Sequence, residues 1–267
     1  MDLLRQPLLS VALPCWVIGH RGAAAVCPEN TLSSFTIARE AGACMVELDV
    51  QQSTDGELFV FHDDTLERLC GETTSVAALT WKGLSTKSVG RWRKQRLQIP
   101  RLAEVFSILQ RSILYNVELK TDTVAYPGIE TRLVDLVRAY NLTQRVLVSS
   151  FHYDSLRLVC EKDPQLPLGL LLSLEQAQRF GNPRAIVARA QEFACFSVHP
   201  HFQLLRQWPV VVEMCHAAAL RVFPWTVDDP QEWRFLVNDL HVDGVITNDP
   251  RKLYEWLLAQ TSLSGVI

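Results

Sequence analysis

The sequence predicts an α/β fold, a TIM-type (β/α)8 barrel with a short insertion after the second strand. Short apolar runs alternate with amphipathic stretches about eight times along the 267 residues, and single barrels of this kind commonly reach about 250 residues. Because strands that alternate with helices pair in parallel, this alternation favours a closed parallel sheet. An open doubly wound sheet shares the alternation, but the glycine fingerprint of dinucleotide binding is absent from the sequence.

Eight short apolar runs are the predicted barrel strands. They are Trp16–Gly19, Cys44–Val50, Ile113–Leu119, Val146–Ser150, Leu168–Leu172, Cys195–Val198, Arg221–Trp225 and Gly244–Thr247. Helical periodicity between these runs predicts the helices, which are clearest at Thr31–Ala41, Ile129–Tyr140, Tyr153–Glu161, Ala185–Ala190, Leu204–Leu220, Pro230–Leu236 and Arg251–Leu258.

One segment after the second strand departs from the alternation. Leu58–Phe61 predicts an extra strand, and residues 63–100 show no regular pattern, so we expect an insertion over the barrel mouth. Its last part is basic, at Arg91, Arg93, Lys94 and Arg96. A solvated face is the favoured interpretation of these charges, and a lid that guides substrate is the alternative.

Composition and charge limit the classes of partner. With 48% hydrophobic and 21% charged residues, the chain is typical of a globular protein, and we expect one barrel domain over residues 1–267 with its motifs between 15 and 258. The formal charge of -3 argues against nucleic acid or an anionic membrane held by bulk electrostatics. No segment approaches the roughly 18 uninterrupted apolar residues of a membrane span. A small-molecule partner is expected, and nothing in the sequence indicates an oligomeric state.

The cysteines and the first apolar stretch bear on cellular location. The seven cysteines are scattered without C-x-x-C spacing and lie mostly in apolar runs, which predicts reduced core residues. The apolar stretch Leu8–Ile18 has almost no basic flank, contains Pro14 and continues directly into Gly19–Gly22, so it is a poor signal peptide. We therefore predict a cytoplasmic protein.

Three carboxylates form the predicted metal site. Glu47 and Asp49 are two positions apart on one strand and share a face, and Glu118 lies near the end of the next barrel strand. In such barrels, catalytic groups gather at the carboxyl ends of the strands. Converging carboxylates repel one another unless a hard cation holds them ionised, so we predict Mg²⁺ or Ca²⁺ here. The alternative is that these acids form salt bridges with Arg21 and Lys120.

Two histidines are the candidate proton-transfer groups. His20 follows the first strand and His62 ends the extra strand, each beside charged residues. A phosphodiester hydrolase needs one group that takes a proton from the nucleophile and another that gives one to the departing alkoxide. A lone histidine in an apolar strand is more often a core residue, but two at strand ends beside carboxylates favour catalysis.

Other side chains at the strand ends are candidate substrate contacts. Arg21 and Lys120 could neutralise charge on phosphoryl oxygens, and Gly22 permits a close backbone turn. Phe151 and Trp225 also end strands, where an aromatic face could cover the alcohol portion of a substrate, although both could be ordinary core residues. His199 follows the sixth barrel strand and is a weaker candidate for substrate contact.

An ordered series of motifs extends from about residue 15 to residue 258. It comprises Gly-His-Arg-Gly at 19–22, Pro-Glu-Asn-Thr at 28–31, Val-Glu-Leu-Asp at 46–49, Asp-Gly-Glu at 55–57, His-Asp-Asp-Thr-Leu-Glu-Arg at 62–68, Ile-Pro-Arg-Leu at 99–102, Glu-Leu-Lys at 118–120, Ser-Ser-Phe at 149–151, Trp-Thr-Val at 225–227 and Val-Asp-Gly-Val-Ile-Thr-Asn at 242–248. In this order and spacing the motifs resemble the glycerophosphodiester phosphodiesterase family, and the chain is most similar in appearance to its compact cytosolic bacterial type.

The resemblance implies hydrolysis of deacylated phospholipids such as glycerophosphocholine or glycerophosphoethanolamine to glycerol 3-phosphate and an alcohol. It implies His20 and His62 as the acid and base pair. The implied metal ligands are Glu47, Asp49 and Glu118, and the implied phosphate contacts are Arg21 and Lys120.

Two alternatives remain open at this stage. A lysophospholipase D-type phosphodiesterase would act on acylated substrates and would need a wider, more apolar mouth. A non-catalytic barrel would bind phosphorylated ligands or partner proteins, although all five proposed catalytic and metal positions carry suitable side chains.

Overall fold

The computed structural model describes residues 13–264, with side chains to Thr261. The first five residues of the apolar stretch that begins at Leu8 lie outside this range. Eight strands form the barrel wall: β1 (Trp16–Gly19), β2 (Met45–Gln52), β6 (Leu114–Leu119), β7 (Val146–Ser150), β8 (Leu168–Leu172), β9 (Ser197–Pro200), β10 (Arg221–Val222) and β11 (Gly244–Thr247). The remaining strands are β3 (Leu58–Val60), β4 (Ser88–Trp92) and β5 (Gln95–Gln98).

The barrel strands are all parallel and follow the order β10-β9-β8-β7-β6-β2-β1-β11. Two backbone hydrogen bonds then join β11 to the segment at the end of β10. The amide of Asp243 donates to the carbonyl of Val222 at 3.1 Å, and that of Ile246 donates to the carbonyl of Pro224 at 3.0 Å. These bonds bring the two ends of the sheet together, and the TIM-type barrel predicted from the sequence is confirmed.

Twelve helices surround the barrel or lie in its loops within the described range. They are α1 (Leu32–Glu40), α2 (Glu67–Cys70), α3 (Trp81–Leu84), α4 (Leu102–Leu109), α5 (Ile129–Ala139), α6 (Tyr153–Lys162), α7 (Leu174–Phe180), α8 (Pro183–Glu192), α9 (Phe202–Gln207), α10 (Val210–Ala217), α11 (Pro230–Trp233) and α12 (Pro250–Ser264). A 3₁₀ turn (Val76–Ala78) and a π-helical segment (Arg234–Asp239) complete the regular structure. None of these helices has both the length and the apolar character needed to cross a bilayer.

The insertion after β2 has more structure than its sequence indicated. Strand β3 pairs antiparallel with β2, and β4 and β5 form a separate antiparallel hairpin. These parts enclose a small apolar cluster that includes Phe59, Phe61 and Leu84. The basic residues at 91, 93, 94 and 96 are exposed on the hairpin, which agrees with the solvated-face interpretation.

Several predicted elements differ from the observed ones for local reasons. Helices α4 and α7 were not predicted, and the helix predicted over Leu204–Leu220 is two helices separated at Trp208–Pro209. Proline has no backbone N–H and cannot donate a hydrogen bond within a helix, so α10 begins only after Pro209. Strand β10 ends at Val222 rather than Trp225, because Pro224 likewise lacks the amide donor that a central ladder requires.

Side-chain alternation along the strands places a second apolar cluster inside the barrel. Ile18, Met45 and Leu114 are among its buried members, together with Phe223, which directly follows β10. The first three each lie two positions from another inward residue on the same strand. On β2 and β6 the same alternation carries polar residues towards the carboxyl end. Asp49 pairs in register with Glu118, and Glu47 pairs with Asn116.

We predict that Gly169→Ala destabilises the barrel. A Cβ at this position would lie 2.7 Å from the ring of His199, which is fully buried and cannot move away. Such overpacking typically costs about 1–3 kcal/mol and would lower the urea midpoint of unfolding. Gly83→Ala in α3 is the matched control, because its Cβ would meet nothing closer than 3.7 Å and the midpoint should not fall. Equal midpoints for the two variants would contradict the packing argument.

Candidate active site

Three carboxylates converge inside the barrel at the carboxyl ends of β2 and β6. Glu47, Asp49 and Glu118 are all buried, and one oxygen of each lies within 4.8 Å of the others. The register between the strands produces this approach, since Asp49 lies directly opposite Glu118. The three residues predicted from the sequence as metal ligands are therefore brought together.

The electrostatics of the cluster are those of acids crowded together away from water. Burial raises the pKa of Glu47 well above its usual value, and the charges of Asp49 and Glu118 raise it further. Burial also raises the pKa of Glu118 to about 7, although the nearby Lys120 opposes this shift. Three ionised carboxylates at this spacing therefore require more positive charge than the protein supplies.

Asp49 differs from its two neighbours. Burial acts to raise its pKa, but the charges of Arg21, His62 and Lys120 and a hydrogen bond from Asn30 outweigh it, so the pKa of Asp49 is lowered. The Asn30 amide donates to Asp49 Oδ2 at 2.8 Å. Asp49 is therefore the member of the cluster that the protein itself holds ionised.

Salt bridges pair two of the three acids with a basic side chain but, within the described residues, leave one oxygen of the third acid without a partner. Lys120 Nζ lies 2.9 Å from Glu118 Oε1, and Arg21 Nε lies 3.4 Å from Asp49 Oδ2. Glu47 Oε2 accepts from the Arg21 amide at 2.8 Å, while its Oε1 has no hydrogen-bond partner within residues 13–264. Hard divalent cations bind clustered carboxylate oxygens, and this cluster includes a buried oxygen to which no group in the described part of the chain donates. The three residues therefore fit such an ion, and salt bridges alone leave that oxygen of the described cluster without a hydrogen-bond partner.

A tight backbone turn after β1 positions Arg21. Arg21 and Gly22 have positive φ angles of 49° and 88°, and a Cβ on Gly22 would lie 2.4 Å from Ser34 Oγ. The turn directs the Arg21 amide at Glu47 and its guanidinium towards Glu29, at 2.8 Å from Glu29 Oε1. The role expected for Gly22, a close turn of the backbone, agrees with this geometry.

His20 lies beside this turn and also lines the cavity described below. Its Nδ1 is 2.7 Å from Asn248 Oδ1. Burial lowers the pKa of His20 to about 4, and the charge of Arg21 acts in the same direction. The imidazole of His20 is therefore neutral at pH 7.

His62 lies at the start of the insertion and is held by a chain of ion pairs. Its Nδ1 is 2.7 Å from Asp63 Oδ1, and Arg68 donates to both oxygens of Asp63, at 2.7 and 2.9 Å. Arg68 also donates to both oxygens of Glu29, which in turn accepts from Arg21. The chain links the insertion to the turn after β1, so His62 and Arg21 are positioned by one connected network.

The site opens into a cavity of about 160 Å³. Eight of the nine predicted site residues line it, together with Asn116, Leu171 and Ile246. These eight are His20, Arg21, Glu47, His62, Glu118, Lys120, Phe151 and Trp225. Asp49 lies behind the cavity wall, where it contacts Arg21 and Asn30.

An aromatic wall closes one side of the cavity. The rings of Phe151 and Trp225 meet edge to face with centroids 5.6 Å apart, and Lys120 Nζ lies 6.0 Å from the centre of the Phe151 ring. Trp225 is anchored by its indole N–H, which donates to the carbonyl of His199 at 2.8 Å. The side chain of His199 is fully buried and bonds Ser197, so this residue supports Trp225 rather than lining the cavity.

Asn116 is a residue at the site that the sequence analysis did not identify. Its side chain lines the cavity, and its Oδ1 is buried without a partner in the described part of the chain. The available signal was its spacing, because Asn116 lies two positions before Glu118 and so shares its face of β6. Asn248 contacts His20, and Asp228 contacts Asn248. Asn248 was noted only as the last residue of the motif at 242–248, and Asp228 was not identified, because both are remote from His20 in sequence.

Comparison with known proteins adds a match over most of the chain. Residues 20–252 match the Glycerophosphoryl diester phosphodiesterase family. The chain belongs to this family. It is 36% identical over 242 residues to a glycerophosphodiester phosphodiesterase of Caldanaerobacter subterraneus subsp. tengcongensis, and the match covers 89% of this chain and 95% of that protein.

Solved structures of glycerophosphodiester phosphodiesterases share the fold. The enzyme from Thermotoga maritima is 29% identical with a TM-score of 0.75, and the match covers 90% of this chain and 97% of that one. An Oleispira antarctica phosphodiesterase in complex with its product sn-glycerol-3-phosphate is 26% identical with a TM-score of 0.74, covering 92% and 97% of the two chains. The chain is accordingly a phosphoric diester hydrolase, and the non-catalytic alternative is not supported.

We predict that Glu47→Gln raises the thermal midpoint of protein stripped of divalent metal. The substitution removes one crowded carboxylate yet keeps an acceptor for the Arg21 amide. In the wild type, Mg²⁺ or Ca²⁺ should raise the midpoint, by an amount equivalent to about 2.7 kcal/mol at 100 times the dissociation constant. In the variant this increase should be largely lost.

Glu40→Gln is the matched control, since Glu40 is exposed and lies outside the cluster. Its thermal midpoints, without metal and with Mg²⁺ or Ca²⁺, should be close to those of the wild type. A Glu47→Gln protein that is destabilised without metal, yet responds normally to both ions, would contradict the crowding argument.

Proposed function

We propose that the chain hydrolyses glycerophosphodiesters, such as glycerophosphocholine and glycerophosphoethanolamine, to glycerol 3-phosphate and an alcohol. The observation that carries this proposal is the convergence of Glu47, Asp49 and Glu118 beside His20 and His62 at one small cavity. The product bound by the related Oleispira antarctica enzyme supports glycerol 3-phosphate as a product.

We further propose that Glu47, Asp49 and Glu118 hold a divalent cation, Mg²⁺ or Ca²⁺. When bound, such an ion polarises a phosphoryl oxygen and stabilises the negative charge that develops there. The unpartnered Oε1 of Glu47 supports this ligand set, as do the raised pKa values of Glu47 and Glu118, which a nearby cation would lower.

The two histidines differ in the partner of Nδ1, and this difference supports different roles. His20 contacts a neutral amide and is uncharged at pH 7, so it suits the base that takes a proton from the attacking hydroxyl. His62 contacts the Asp63 carboxylate, which fixes the orientation of its ring. With His20 proposed as the base, His62 is proposed as the acid that protonates the departing alkoxide.

Arg21 and Lys120 are proposed to contact the phosphoryl group. Burial acts to lower the pKa of each, but the nearby carboxylates outweigh it and raise both values, so both side chains remain charged. Their partners Glu29 and Glu118 hold the charged groups at the cavity edge before substrate arrives. Such preorganised charge stabilises a phosphoryl transition state without further reorganisation.

The cavity size favours a deacylated substrate over an acylated one. Sites for drug-sized ligands commonly enclose roughly 300–1,000 Å³, whereas this cavity measures about 160 Å³. A glycerophosphoryl group suits the smaller volume, and the aromatic rings of Phe151 and Trp225 could cover the alcohol portion. This volume favours the lysophospholipase D-type alternative less.

We also propose that the enzyme works as a single barrel domain in a reducing compartment such as the cytoplasm. All seven cysteines are free thiols, and five of them are buried. The main apolar core extends from Cys15 to Leu257 without division, which supports one domain. The net charge of -3 supports a small-molecule substrate rather than a nucleic acid.

We predict that His62→Ala lowers kcat for glycerophosphocholine by about 10² or more, as expected when a general acid is removed. The rate of glycerol 3-phosphate release, measured with Mg²⁺ or Ca²⁺ in excess, provides the test. Circular dichroism should be unchanged, because the His62 side chain is partly exposed and lies outside the core.

His241→Asn is the matched control for the loss of one imidazole. His241 is exposed and has a φ of 58°, a conformation that asparagine tolerates, so its variant should retain wild-type turnover. Near-normal turnover by His62→Ala would remove His62 from the mechanism. Turnover of a lysophospholipid at the rate of glycerophosphocholine would instead contradict the cavity-size argument.

A further inference from the structure

The side chain of Asn248 lies between His20 and an exposed carboxylate. Its Oδ1 is 2.7 Å from His20 Nδ1, and its Nδ2 donates to Asp228 Oδ2 at 2.6 Å. The Asn248 backbone amide donates to the other oxygen of Asp228 at 2.8 Å. Both oxygens of Asp228 therefore hold one residue, and that residue contacts a proposed catalytic histidine.

The charge on Asp228 determines which way the Asn248 amide faces. An ionised carboxylate only accepts hydrogen bonds, so the NH₂ group must face Asp228 and the carbonyl oxygen must face His20. If the Asn248 amide were reversed, its oxygen would face Asp228 Oδ2, and neither atom could donate a hydrogen bond. Because Asn248 Oδ1 can only accept, the proton between it and His20 must belong to His20 Nδ1.

We propose that Asp228 and Asn248 are positioning residues that hold neutral His20 in the tautomer protonated at Nδ1. Nε2 is then the ring nitrogen that carries a lone pair and can take a proton in the cavity. This inference rests on the role of His20 as the base in the proposed function. Neither residue contacts the cavity itself, so both act through His20.

The fold fixes this arrangement at the junction of three segments. The amide of His20 donates to the carbonyl of Thr247 at 2.8 Å, and that of Ala25 donates to the carbonyl of Asn248 at 3.0 Å. The hydroxyl of Thr247 also donates to Asp228, at 2.8 Å. The ends of β1 and β11 and the loop after β10 are thereby tied together, so the orientation of Asn248 does not depend on a mobile side chain.

The experiment that tests this proposal measures the tautomer directly, without substrate or metal. Protein labelled with ¹⁵N-histidine is examined by NMR at neutral pH, and the His20 signals are assigned from a His20→Gln variant. In the wild type the shifts should report a proton on Nδ1 and a bare Nε2. In Asp228→Asn the enforced orientation is lost, and the signals should shift towards a mixture of tautomers.

Asp229→Asn is the matched control, because it removes the same charge one residue away. Asp229 accepts from the Gln231 amide at the start of α11 and does not contact Asn248, so its variant should retain the wild-type tautomer. Asp228→Asn should also lower kcat for glycerophosphocholine by about 10-fold or more with little change in KM, since only the proton-transfer geometry changes. The control should keep normal kinetics.

The exchanged variant Asp228→Asn/Asn248→Asp provides a rescue. Its carboxylate at position 248 can only accept a hydrogen bond from His20. The amide at position 228 can accept from the backbone N–H of residue 248 through its oxygen and donate to the new carboxylate through its NH₂ group. The wild-type tautomer should return, which a merely structural role would not predict.

A wild-type tautomer in folded Asp228→Asn would overturn the proposal, and so would failure of the exchange to restore Nδ1 protonation. If Asp228→Asn does not fold, the exchanged variant alone decides between these results. Absence of turnover in a wild type that shows the predicted tautomer would count against the proposed function and leave the positioning role supported.

Discussion

The repulsion among three buried carboxylates is the constraint around which the rest of the site is arranged. Glu47, Asp49 and Glu118 project from the inner face of two adjacent parallel strands whose register brings them within a few ångströms. The protein balances only part of their charge, through Arg21 and Lys120. Burying such charges without full compensation is costly, which supports the proposal that the cluster binds a divalent cation.

The surrounding groups are positioned by bonds that begin outside the cavity. The network of Glu29, Arg68 and Asp63 joins Arg21 to His62 across the boundary between the barrel and its insertion. On the opposite side, Asp228 and Asn248 hold His20. Each histidine is therefore oriented through Nδ1 by a residue that is itself held, which leaves the other ring nitrogen available for the proton transfer that we propose.

Much of the fold and the candidate site could be predicted from the sequence, because strand alternation and strand ends are local signals. The spacing of Glu47 and Asp49 predicts a shared face, and four of the eight barrel strands have the predicted bounds. Helix α4 was not predicted although it is strongly apolar, because an apolar run of only eight residues does not distinguish a short helix from a strand. Asn248 and Asp228 could not be found in this way, since their approach to His20 depends on closure of the barrel between the first and last strands.

The measurement that tests the central claim most directly is glycerol 3-phosphate release by protein stripped of divalent metal and then resupplied with Mg²⁺ or Ca²⁺. Glycerophosphocholine and glycerophosphoethanolamine serve as substrates. We expect turnover to vanish on chelation and to return with at least one of the two ions. Undiminished turnover in the stripped protein would contradict the view that the carboxylate cluster exists to hold a metal.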